Sequence, residues 1–150
     1  MLMPAAHALQ QTLEDVERAL AELTGEQIWS TPGGAASVGF HVRHLGGSLD
    51  RLLTYARGEP LSEEQRRQLA GEKSLPRASA SALIADLRQA IERGMRQIRE
   101  TPPESLGDAR AVGRAALPTT VLGLIFHAAE HAQRHAGQVI TTARIVRGLS

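Results

Sequence analysis

Residues 121–146 read VLGLIFHAAEHAQRHAGQVITTARIV. Val121, Leu124, Ala128, Ala132, Val139 and Ala143, with Ile125 beside Leu124, recur at intervals of three and four with one wider gap. That spacing lines one face of an α-helix. Three histidines, His127, His131 and His135, follow one another four residues apart in the same stretch. At about 100° per residue, His135 falls inside the apolar stripe, His131 at its edge and His127 further round. The segment predicts a long helix, starting near Pro118 or Thr119 and running almost to the C-terminus.

Three more stretches share the period. Leu9, Leu13, Val16, Leu20 and Leu23 predict a first helix from about Pro4 to Leu23, with Gly25 just past its end. Val38, Val42, Leu45, Leu49, Leu52 and Ala56 predict a second from Ser37, a candidate N-cap, to Arg57, closed by Gly58 and Pro60. Ile84, Leu87, Ile91, Met95 and Ile98 predict a third from Ser79 to Glu100, stopped by Pro102-Pro103. Long connections separate them: Gln27–Ala36, Gly58–Ala78 and Thr101–Leu117. In the second, Ser62-Glu63-Glu64-Gln65 has the form of a capping box and predicts a short helix. The fold class expected is all-α, a four-helix bundle with long connections, as one domain over residues 1–150.

Composition agrees. Aromatic residues are 3% of the 150, so the core must be aliphatic, which suits helix-on-helix packing better than a β-sandwich. The net charge of +1 comes from interspersed charges, and no basic patch or aromatic platform suits a nucleic acid. No apolar run is long enough for a bilayer, and MLMPAAHALQQ is not a signal peptide, so no membrane partner and a cytoplasmic location are expected. With no cysteine, disulfides, thiolate ligands and a cysteine nucleophile are excluded.

The chemistry concentrates in histidine. Five of the six lie in two helical segments: His41 and His44 on the second helix, and His127, His131 and His135 on the fourth. Side chains four apart stack on one helix face, so His131 and His135 can converge on one ion. No Glu stands between them, so the fragment is not a zincin motif. Two imidazoles against an aliphatic core need partners, and a metal satisfies both. A further ligand is expected from His41 or His44, and by stripe geometry alone His41 lies nearer the apolar face.

Ser37-Val38-Gly39-Phe40-His41-Val42-Arg43-His44-Leu45, downstream of Trp29-Ser30, resembles the first motif of the DinB/YfiT-like family. His127, Glu130, His131, His135, Gly137 and Gln138 resemble its second. The resemblance spans essentially the whole chain and implies a four-helix bundle, often dimeric, with a three-histidine metal site. The family's first-motif histidine precedes Leu or Ile, which matches His44, and its paired histidines match His131 and His135. Among the family are thiol-dependent S-transferases and isomerases that use bacillithiol, mycothiol or glutathione. The resemblance therefore implies one divalent ion, zinc or nickel first, a small-molecule substrate such as a low-molecular-weight thiol, and a homodimer. The function expected is a metal-dependent thiol S-transferase or a related hydrolase or isomerase. A non-catalytic, metal-stabilised bundle acting in protein interaction or stress response is the alternative.

Other residues complete the reading. His41, His127 and Gln138 are candidates to orient a ligand from behind, and His127 and His41 are the first candidates for a general base. Glu130 and Arg134 are spaced for an exposed ion pair. Gly137, unfavourable in a helix by about 1 kcal/mol, is expected where a neighbouring helix comes close. Trp29 is read as a cap on one end of the bundle, and Glu63–Arg67 as a solvated helix.

Overall fold

The structure, a computed structural model, describes residues 2–149. Four long helices carry the fold: α1 (Met3–Ala21), α3 (Val38–Ala56), α5 (Ala80–Glu100) and α6 (Val121–Gly148). Two short ones, α2 (Gly25–Trp29) and α4 (Glu63–Gly71), lie in the connections. The sixth helix packs on α1 and α3, and α5 closes the bundle against the same pair. Leu9, Val16, Leu45, Ile91, Ile125 and Val139 are wholly buried between them. Each such side chain contributes about 1.5–3 kcal/mol. No helix among the described residues is long and apolar enough to cross a membrane.

Helix starts follow the side chains that can satisfy the first free backbone N–H groups. The hydroxyl of Ser37 accepts from Phe40 N–H, that of Ser79 from Ala82 N–H, and that of Thr120 from Gly123 N–H. Ser62 and Gln65 form the expected capping box at the start of α4.

Three details differ from the sequence reading. Gly25 does not merely end the first helix; Thr24 and Gln27 form a second capping box, and Gly25 opens α2. The connection 101–117 contains a strand, β1 (Ala109–Val112), that pairs antiparallel with β2 (Leu117–Thr120), Ala109 opposite Thr120. Pro118 and Thr119 therefore belong to β2, and α6 begins at Val121. Neither strand alternates apolar and polar residues cleanly, which is why periodicity did not mark them.

The end of the long α3–α5 connection is clamped. Trp29 lies against Gly39, where a Cβ would stand 2.8 Å from the indole ring. The indole N–H donates to Ala78 O at 2.9 Å. Arg43 sits 4.9 Å over the same ring and donates to the carbonyls of Leu75 and Pro76. The clamp holds residues 75–78 against α3, a few residues past Glu72.

Candidate metal centre

Helix α3 turns His41 and His44 toward α6, and α6 turns His131 and His135 back. Nε2 of His44 stands 3.2 Å from Nε2 of His131. His44, His131 and His135 each offer one ring nitrogen, all within 4.8 Å of one another. Among the described residues this is the one cluster of three His, Cys, Asp or Glu side chains so arranged.

The donor set fits a divalent ion. Two nitrogens bound to one tetrahedral ion at about 2.0–2.1 Å stand about 3.3 Å apart, close to the His44–His131 separation. Ligation needs neutral imidazole. Burial, then the charge of neighbouring His44, His131 and His41, lowers the pKa of His135 to about 4. Burial, then the charge of His44, also lowers that of His131. Both rings therefore present free lone pairs at neutral pH.

Hydrogen bonds select the nitrogen. Oε2 of Glu72 lies 2.7 Å from Nδ1 of His44. A carboxylate only accepts, so Nδ1 carries a proton, and in the neutral ring the lone pair is on Nε2, toward His131. Burial raises the Glu72 pKa, but hydrogen bonding and charge from His44 and Arg51 outweigh it and leave it lowered. Arg51 donates to the other oxygen of Glu72 at 3.4 Å, and both side chains are buried. Gly47 makes room, since a Cβ there would lie 2.8 Å from Nη1 of Arg51 and 3.2 Å from Oε1 of Glu72. On α6, Nδ1 of His135 lies 3.1 Å from Nδ1 of His41, which leaves Nε2 of His135 for an ion. The ring of Phe40 stacks on His44 with 13° between planes.

Of the remaining candidates, His41 touches His135 and lies outside the three-nitrogen cluster. His127 is exposed, its ring centroid 5.7 Å from that of His131 and its Nδ1 3.6 Å from Glu130. The Glu130–Arg134 ion pair forms as spaced. Gln138 is exposed on α6 and makes none of the hydrogen bonds that hold the cluster. The expectation for Gly137 is overturned: nothing lies within 4 Å of where its Cβ would be, so no neighbouring helix requires the glycine.

Glu72 and Arg51 escaped the sequence reading. Glu72 follows a solvated helix in a long connection and carries no local signal. Arg51 had one: with His44 and Ser48 it falls at i, i+4 and i+7, which puts three polar side chains on one face of the helix.

A cleft of about 540 Å3 opens on His44 and His131, walled by Leu52, Tyr55, Leu61 and Leu69. The three histidines that could hold an ion thus lie beside an open cleft, with His44 and His131 in its lining.

The sequence matches the DinB superfamily over residues 8–139. Among solved structures, the chain is similar to a conserved protein from Enterococcus faecalis. The two share 20% identity over 99% of this chain and 98% of that one, with a TM-score of 0.80. At that identity the likeness concerns the fold. No curated protein matches.

Proposed function

This chain belongs to the DinB superfamily, and on that premise we propose that His44, His131 and His135 hold one divalent ion in a metal-dependent enzyme. The ion is zinc or nickel, which imidazole suits. The reaction is transfer of a small thiol to an electrophile. A bound ion would supply Lewis acidity, lowering the pKa of coordinated water or thiol. The observation that carries the reading is the 3.2 Å approach of His44 Nε2 to His131 Nε2, with His135 in the same cluster.

The chain's own groups support it. Glu72 keeps the His44 proton on Nδ1. His41 occupies the outer nitrogen of His135. The cleft admits a small molecule beside His44 and His131, and His127 lines it. An ion that only stiffened α3 against α6 would want a fourth protein ligand, and the cluster among the described residues has three. Leu122 and Phe126, exposed one turn apart on α6, are the face we assign to a second copy of the chain.

Elemental analysis of the purified protein beside His44→Ala and His131→Ala tests the site. The expected result is about one ion per chain in the parent and none in either variant. A parent that takes up no ion after reconstitution with zinc or nickel would overturn the reading.

A further inference from the structure

The cleft beside the histidines differs in charge from a second large cavity next to α3. That cavity, about 440 Å3 between α3, α4 and α5, mixes Asp50, Glu64 and Asp86 with Arg43 and Arg93. Among the described residues the cleft at His44 and His131 has no carboxylate in its lining, yet Arg51, Arg66 and Arg114 all contribute to it. Glu72 neutralises Arg51. Arg66 donates to the carbonyl of Leu61, and among the described residues neither it nor Arg114 has an anionic partner. The cleft thus carries two uncompensated guanidinium groups over walls of Leu52, Tyr55, Leu61 and Leu69.

The layout is polar at one end and reactive at the other. Gln65 donates to Asp50 at 2.6 Å and Thr54 at 2.8 Å, which fixes the start of α4 six to ten residues past His44 along α3. At 1.5 Å per residue, the start of α4, where Arg66 lies, is thus roughly 9–15 Å from His44 along the α3 axis. The end of α4 returns to the histidines through Glu72. Arg114 follows Gly113 at the turn between β1 and β2, where φ of 73° suits glycine. Leu69 is 44% exposed because it lines the cleft and not the bundle core.

Guanidinium groups grip carboxylates through paired N–H donors, and apolar walls accept a hydrocarbon stem. We infer that the cleft takes a small organic acid, its carboxylate on Arg66 and Arg114, its stem between the apolar walls and its reacting end at His44 and His131. The inference deepens the proposed function and rests on the histidines being the reacting end.

The test is calorimetric titration of the zinc-loaded protein with 6-mercaptohexanoate and 6-mercaptohexanol, which differ only in the far end, a carboxylate in one and a neutral alcohol in the other. The acid is expected to bind roughly tenfold more tightly than the alcohol. The double variant Arg66→Gln, Arg114→Gln should erase most of that difference while metal content stays the same. Equal affinities in the parent, or a preference that survives both substitutions, would overturn the inference. The cobalt-substituted protein separates this from the reading beneath it. A thiolate-to-cobalt absorption band with no acid preference sinks the cleft assignment alone. An intact acid preference with no band upholds the cleft and sinks the thiol chemistry.

Discussion

Oε2 of Glu72 accepts a 2.7 Å hydrogen bond from Nδ1 of His44, so a residue of the α3–α5 connection fixes which nitrogen of a helix histidine faces α6. Carboxylates behind ligating imidazoles hold ring and tautomer and raise ligand basicity. Glu72→Gln keeps an oxygen acceptor but removes the charge and the partner of buried Arg51. Zinc affinity, measured by chelator competition on folded protein, should fall roughly ten- to a hundredfold. Unchanged affinity would mean that Glu72 serves only the fold.

Gly47 separates the metal site from stability. It lies inside α3, where Ala is favoured over Gly by about 1 kcal/mol. Its Cβ would press on the far ends of Arg51 and Glu72, at 2.8 and 3.2 Å. Those ends can move, so Gly47→Ala should leave the thermal midpoint near or above that of the parent. The Glu72–His44 hydrogen bond would be displaced, and zinc affinity should drop several-fold. If midpoint and affinity fall together, the glycine is needed for packing of the helix and not for the carboxylate.

The metal-free protein should lose stability toward acid through its histidines. The folded pKa of His135 is about 4, below the ordinary 6.5. Between those values the unfolded chain binds a proton that folded His135 does not, so stability rises with pH across that window. It is full above about 6.5, falls as pH drops toward about 4, and stops falling below that as both states become protonated. Half-buried His131 and buried His41 are lowered too and act in the same direction. Urea midpoints taken with chelator present should therefore decline less steeply across this window for His135→Gln than for the parent. Parallel slopes would remove His135 from the account.

Much of this was legible in the sequence, for reasons that particular residues show. The stripes through Leu9–Leu20, Val42–Ala56 and Leu124–Ala143 mark buried helix faces, because burial of apolar area is what selects that spacing. His131 and His135 were legible because helical geometry alone brings them together. His41 against His44 was not settled by angle: at a groove between α3 and α6 both face the partner helix, and both have ring nitrogens within about hydrogen-bond distance of it. Glu72 depends on the path of a long connection, set by Trp29 against Gly39 and Arg43 against Pro76, which no local spacing encodes. The hairpin that carries Arg114 was hidden by short strands with mixed burial.

The Trp29 clamp can be broken by one carbon. Gly39→Ala would set a methyl 2.8 Å from a rigid indole. The ring must leave, and with it the hydrogen bond to Ala78 and the stacking of Arg43. Overpacking of this kind costs about 1–3 kcal/mol. Trp29 is the chain's single tryptophan, so its fluorescence reports the clamp directly. A red-shifted emission in the folded variant, with a lower urea midpoint, is expected; an unshifted spectrum would show that the ring does not lie where Gly39 is.

The two histidines of α3 should respond differently to removal. Nε2 of His44 belongs to the cluster of three, whereas His41 reaches it only through Nδ1 of His135. His44→Ala therefore deletes a ligand and should abolish stoichiometric zinc. His41→Ala leaves three donors in place but frees the outer nitrogen of His135, so the ring can turn or change tautomer. One ion per chain should remain, bound roughly ten- to a hundredfold more weakly. The reverse pattern, with the ion lost on removing His41 and retained on removing His44, would make His41 the α3 ligand. The proton on Nδ1 of His44 would then serve only the Glu72–Arg51 pair.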